Sequence, residues 1–264
     1  MRSKPKEVPI ARAGSVKGRR RLNAGGTRDK ILDAAEMEFS SRGFEGCSLR
    51  TIANANGINL GLIYYYFEGK ESLFSEAYLR RAKGMVSRRK AMLRAAKLRH
   101  GSRPVPVGEI IRCFLVPLVE MTKMGPGPRA WIRLQGLLRS QPSEFSRKLR
   151  GKALNSSNKM FIKEFQRSCP ELDRATVVWR FTAMISGFYA LISNSTRVAE
   201  LYDGLCDSDD VDVAFAQAVP FFISGFAAPL PDADLIVPLS TPAMPLRYGR
   251  RTAKHRDPSR AKRL

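Results

Sequence analysis

Acidic residues, histidine and cysteine are all scarce in this 264-residue sequence. Only 24 Asp and Glu face 46 Lys and Arg, giving a formal charge of +22 and a pI near 10.5, so the partner is polyanionic: nucleic acid or an anionic membrane surface. Two histidines, His100 and His255, leave little for general acid–base chemistry, and no phosphate loop, nucleophile elbow or H-E-x-x-H sequence is present. No enzyme, metal or cofactor is therefore expected. Cys47, Cys113, Cys169 and Cys206 form no C-x-x-C pair, which argues against a zinc site or a disulfide framework and reads as buried thiols of a reducing cytoplasm. No run approaches 18 uninterrupted apolar residues, so no membrane span is expected. The basic N-terminus is not followed by the apolar run of a secretory signal, although its Arg-rich, acid-poor composition also suits an organelle transit peptide.

What is present is helical periodicity. Residues 1–26 carry eight Lys/Arg against one Glu with no apolar period, and read as a disordered basic arm. From Thr27, a candidate N-cap, Ile31, Ala35 and Phe39 recur at every fourth position until Gly43, which predicts a helix over 27–42. Ser48 caps a short helix with Leu49, Ile52 and Ala53 on one face, Gly57 ends it, and Asn59 caps the next, over 60–66. Gly69 and Lys70-Glu71 open a long helix to about Leu98. Further helices are expected near 108–123, 128–140, 143–167, 174–199 and 210–226, separated by proline and glycine. Period-2 alternation is missing throughout. The reading is an all-α protein of about nine helices: a helix-turn-helix domain over 27–72, a helical domain over 73–228, and a disordered Pro- and Arg-rich tail over 229–264.

The spacing between Leu49 and Tyr66 identifies the motif. Small Ala53 precedes Gly57 by four residues, Ile58 follows at once, and Ile63 lies six beyond the glycine. Two short helices that cross steeply need this combination: a small residue at the close approach, positive φ at the turn, and apolar residues locking one helix on the other. The segment resembles the TetR family of bacterial transcription regulators in Thr27–Ala35, in Phe39 with Gly43-Phe44, in Ser48–Ala53, and in Gly57–Gly61 leading to Ile63–Phe67 and Lys70-Glu71. The resemblance implies that Asn59, Leu60 and Gly61 begin a recognition helix whose N-terminal end enters the major groove of double-stranded DNA, with Leu60 or Leu62 against a thymine methyl. Tyr64 and Tyr65 would face outward to phosphates or base edges, Tyr66 and Phe67 inward. Ser48, Arg50 and Lys70 would hold phosphates. Leu60 and Tyr65 depart from the residues common in the family, so base preferences are not carried over.

Residues 27–70 hold five Lys/Arg against six Asp/Glu, so the head is not the source of the basicity. It lies in the arm and in residues 71–103, where ten Lys/Arg oppose two Glu. Residues 171–228 are the acidic part, with three Lys/Arg against eight Asp/Glu. The resemblance implies that the second domain binds a small-molecule effector and forms a homodimer; residues 129–200 are loosely similar to members that answer to fatty acids or their acyl-CoA esters. Pocket candidates for an acyl or aromatic effector are Phe114, Leu118, Met121, Trp131, Leu134, Met160, Phe161, Phe165, Trp179 and Met184. Arg133 or Arg180 would pair with an anionic head. Ile185, Phe188, Tyr189, Ile192, Val219 and Phe222 are the dimer-interface candidates, with Ser186, Gly187 and Ala190 allowing close helix approach. The expected function is a ligand-released repressor, cytoplasmic and bound to the nucleoid at a pseudo-palindromic operator. The competing reading is a basic protein that coats nucleic acid without sequence preference.

Overall fold

A computed structural model describes residues 16–140, 143–193, 206–207 and 209–230, the side chains of 16–25 and of Ser140 excepted. Among the described residues there are nine α-helices and no strand: α1 (Val16–Arg42), α2 (Leu49–Ala55), α3 (Leu60–Tyr66), α4 (Lys70–His100), α5 (Val107–Lys123), α6 (Pro126–Ser140), α7 (Glu144–Ser168), α8 (Arg174–Ser193) and α9 (Val211–Ala227). The all-α architecture and helix order are as the periodicity predicts. One boundary differs: α1 begins at Val16, so the part of the expected arm from residue 16 is helical and Thr27 lies inside the helix rather than capping it. Lys, Arg and Leu between Val16 and Leu22 all favour helix, and no proline follows Pro9 to stop it. The arm before residue 16 and the tail beyond residue 230 lie outside the described residues, as does the stretch 194–199 assigned to the eighth helix.

The head is built by α1–α3 and the start of α4. Ile31, Leu32, Ala35 and Phe39 form the inner stripe of α1, and Phe39 and Phe44 close on Phe74 of α4 with ring centroids 6.2, 4.8 and 5.0 Å apart in the three pairings. Phe145, in the first turn of α7, packs on both Phe44 and Phe74, so the second domain reaches directly into the core of the head. Helix α4, 31 residues or about 46 Å long, runs through both parts. Its buried stripe is Phe74, Tyr78, Ala82, Met85, Arg89, Leu93 and Ala96, spaced by three or four.

A second tie is ionic. Glu36 of α1 is fully buried and accepts hydrogen bonds from Arg80 and Arg81 of α4, at 2.7 Å from Arg80 Nη2 and 3.0 Å from Arg81 Nε, while Asp33 takes a further bond from Arg80. The start of α6 closes over this group: a Cβ on Gly127 would stand 3.0 Å from Arg81 Nη2 and 3.2 Å from Glu36 Oε2. A side chain there would press the Arg81 and Glu36 ends back by a few tenths of an ångström.

Three of the four cysteines are buried; Cys206, expected to be buried, is exposed. In sequence it stands next to Asp207, with Asp209 and Asp210 close by, rather than on an apolar helix face. Burial pushes the Cys113 thiol up to about 11 and raises Cys47 and Cys169 as well. A thiol-specific disulfide reagent at pH 8 should thus titrate one thiol per folded chain quickly and the other three only after denaturation. Four equally fast thiols would contradict the burial.

Candidate nucleic-acid interface

The α2–turn–α3 unit is set by local chemistry. Ser48 is the N-cap of α2, its hydroxyl accepting the Thr51 N–H at 3.0 Å and pairing with the Thr51 hydroxyl at 2.8 Å. Gly57 has φ +61°, the left-handed turn that a side chain disfavours, and the Ile58 N–H donates back to the Ala53 carbonyl at 2.9 Å. Asn59 then caps α3 by accepting the Gly61 N–H at 2.7 Å. A Cβ on Gly61 would lie 3.0 Å from that same Asn59 oxygen, which is why a glycine suits the helix start. Ala53, Ile63 and Phe67 are buried, and Ile58 and Tyr66 pack half-buried on the same core. Phe67 therefore faces inward as expected. Tyr66 does so only in part, its ring meeting that of Tyr65 edge to face with centroids 4.9 Å apart.

The outer face of α3 carries the residues expected to read DNA. Tyr64 is 59% exposed and Tyr65 78%, with Leu62 beside them, and none is needed for the core. Next to them opens a groove lined by Ser48, Arg50, Thr51, Leu60, Tyr64 and Lys70, which gathers the phosphate-binding candidates from three separate helices onto one surface. Arg50 projects to solvent. Lys70 is half-buried, its ammonium 4.3 Å from the centroid of the Phe44 ring, so the aromatic core aims it. At the first turn of α4 it adds a cation beside the start of α2. Thr51 was missed as a groove residue, although its place three residues after the Ser48 cap puts it on the same face.

The effector-site candidates fare differently. Phe114, Phe161, Phe165 and Phe181 pack directly on one another, with centroid distances of 5.0, 5.1 and 5.9 Å along the chain of contacts, and Phe165 stacks on Phe226 at 4.3 Å. Leu118, Met121, Leu134 and Met184 are buried in the same core, and Met160 packs half-buried against it. Trp131 is buried farther toward the head, where its indole N–H donates to the Tyr78 carbonyl at 2.9 Å. Trp179 does not belong with them: it is 75% exposed on the opposite face of α8. Arg180 is engaged with the end of α9, donating from Nη1 to the carbonyls of Phe226 and Ala228 at 2.8 Å, and Arg133 stands exposed.

The six dimer-interface candidates also need correction. Ile185, Phe188, Tyr189, Ile192, Val219 and Phe222 are all buried within one protomer. Helix α8 is apolar on more than one face, and periodicity alone does not say which stripe turns inward. The stripe through Val177, Phe181, Met184 and Phe188 does; the other, through Val178, Trp179, Thr182, Ala183, Ser186 and Ala190, faces outward. By length and composition α8 could cross a membrane, a criterion that a helix buried on one side also meets.

An exposed aromatic helix held by a capped glycine turn beside a cationic groove defines a helix-turn-helix protein, here joined to a larger helical domain. Residues 31–77 match the bacterial regulatory proteins, tetR family, and residues 112–225 match the tetracyclin repressor-like C-terminal domain. The probable HTH-type transcriptional regulator YttP of Bacillus subtilis is 46% identical over 56 residues, 20% of this chain and 27% of that protein. The transcriptional repressor NicS of Pseudomonas putida is 46% identical over 57 residues, 22% of this chain and 27% of NicS. The chain thus aligns with only about a quarter of the length of these relatives. The fold extends further: the fatty acid degradation regulator FadR from Bacillus halodurans superposes with a TM-score of 0.55 at 16% identity, over 75% of this chain and 95% of FadR. The chain belongs to the TetR family.

Proposed function

We propose that the protein is a transcription regulator of the bacterial cytoplasm that binds double-stranded DNA as a homodimer and is released by a small apolar or amphipathic effector. The observation that carries this reading is the exposure of Leu62, Tyr64 and Tyr65 on α3 beside the groove that joins Ser48, Arg50 and Lys70. Each α3 enters a major groove, two half-sites lie about one helical turn apart, and the groove residues fix the register on the phosphates. Repression is favoured by likeness to a relative named as a repressor.

The dimer face is the outward stripe of α8 with that of α9. Trp179 and Phe221, 75% and 73% exposed, stand among small residues that let helices approach: Ala183, Ser186 and Ala190 on α8, Ala216 and Gly225 on α9. A second copy of the chain covers this face. Trp179→Asp with Phe221→Asp should convert the protein to a monomer by sedimentation at micromolar concentration, with the helical content kept. A dimer that persists would place the interface elsewhere.

The effector acts through α4, which is continuous from Lys70 in the groove to the second domain, and through α6, whose Gly127 touches the Glu36–Arg81 pair. The direct test of DNA reading is enrichment of fragments from a total DNA digest at physiological salt. The wild-type chain should retain a small set of fragments, and Tyr64→Ala with Tyr65→Ala should lose them. Equal, unselective retention by both would assign binding to the basic segments outside the head.

A further inference from the structure

Three arginines converge between α4, α6, α7 and α8 with no carboxylate paired to any of them among the described residues. Arg89 of α4 is 1% exposed; its Nε donates to the Phe114 carbonyl at 2.8 Å and its guanidinium carbon lies 3.5 Å from the centroid of the Phe114 ring. Arg139 of α6 lies 4.7 Å over the Tyr189 ring. Arg150 of α7 completes the group, close enough to Arg139 and to Tyr78 to bias the titration of both. Burial holds the Arg89 guanidinium down to about 10, still charged at neutral pH, and also lowers Arg139.

The polar atoms of this group are unfinished. Arg89 Nη2, Arg139 Nε, Arg150 Nε, the Tyr189 hydroxyl and Gln135 Oε1 are all buried without a well-formed hydrogen bond, although Arg89 and Tyr189 are near enough to influence each other. Native interiors leave few such atoms, and five of the nine among the described residues belong to side chains linked through Tyr78 and Tyr189. A buried cation without a counter-charge is strongly unfavourable, and water can satisfy a hydrogen-bond donor but cannot neutralise it. The group opens on one side into a groove between α7 and α8. Arg139 and Arg150 line it together with Arg147 and Lys159, and Leu154, Ile162, Phe181 and Ile185 form its apolar wall.

We propose that Arg89, Arg139 and Arg150 form the head-group site of the effector, a small amphiphile whose carboxylate or phosphate lies among the three guanidiniums and whose apolar body lies in the α7–α8 groove. Guanidinium groups match both heads by paired N–H donors. The site replaces Arg133 and Arg180, the cations first considered for this role. It is also placed to act on the head, because α7 carries Arg150 in the cluster and Phe145 in the head core, while α4 carries Arg89 in the cluster and Lys70 in the groove. The assignment rests on the reading of the protein as an effector-released regulator.

The test is calorimetric titration of the full chain with decanoate, decyl phosphate and decanol, on wild type, Arg139→Gln, Arg150→Gln and Arg133→Gln. Arg89 is left intact because its loss would disturb folding. At least one anionic probe should bind tenfold or more tightly than decanol, and whichever does so identifies the head. Arg139→Gln and Arg150→Gln should each weaken that probe at least tenfold with decanol unchanged, and Arg133→Gln should leave it as in wild type. Decanol binding as tightly as both anions, or anion affinity unaltered in Arg139→Gln and Arg150→Gln, would overturn the assignment. DNA binding by the ligand-free chain is read separately, so the anion titration decides this site and the DNA result decides the reading beneath it.

Discussion

Replacing Arg50 and Lys70 together by alanine should lower operator affinity roughly ten-thousandfold. Hydrogen bonds made by ionised groups contribute about 1.5–3 kcal/mol each, and in a dimer the two residues supply four such contacts. Even the lower figure gives that factor. The dependence of log affinity on log salt should flatten by about 3 to 4, since each neutralised phosphate contributes about 0.9 to the slope. Folding should be little affected. Arg50 is exposed, and Lys70 gives up its place over the Phe44 ring, worth about 0.5–1 kcal/mol. Anisotropy titrations at several salt concentrations, with a thermal melt as control, would show this. A loss below tenfold with an unchanged slope would remove the groove from the interface.

Glu36→Ala should be strongly destabilising although it removes no apolar core. The carboxylate is fully buried and serves Arg80 and Arg81 together, so its removal leaves two partly buried guanidiniums facing one another. Breaking a buried pair from one side costs about 3–5 kcal/mol. The lower end applies, because both arginines keep contact with solvent and Asp33 still pairs with Arg80. About 3 kcal/mol lowers the melting temperature of a domain this size by roughly 6–12 °C. The same carboxylate joins α1 to α4 under Gly127, so DNA affinity should fall even well below the melting temperature. A change of less than 2 °C would show that the ionic tie carries no weight.

Much of the head was legible because its signals are local. Ser48, Gly57 and Asn59 each act within four residues of their own position, and the structure finds each in the predicted cap or turn. The burial of Ile63 and Phe67 and the exposure of Tyr64 and Tyr65 follow from that frame. The second domain was less legible because its assignments depend on distant partners. Helix α8 has two apolar stripes, and only the packing of Phe181 and Phe188 against other helices shows which is inner. Trp179 and the four interface candidates on α8 were misplaced for this reason, and Val219 and Phe222 because α9 likewise turns one of its faces into the protomer. The pocket aromatics suffered similarly, since a ring that fills a core and a ring that lines a cavity look alike along the chain.

Arg89 and Glu36 were missed despite a readable sign. Arg89 falls four residues after Met85 and four before Leu93, on the stripe that buries α4, and Glu36 follows Leu32 by four on α1. A charged residue on an apolar stripe is either paired or awaiting a partner. Glu36 is paired. In a helix as basic as α4, the general excess of charge hid the one arginine that is fully buried.

Selection of bound sequences from a random duplex library at physiological salt tests the central claim most directly. The account predicts recovery of an inverted repeat with one fixed half-site spacing, lost in the Tyr64→Ala, Tyr65→Ala variant. Recovery of no motif, with affinity that collapses as salt rises, would contradict it and assign DNA binding to basic charge alone.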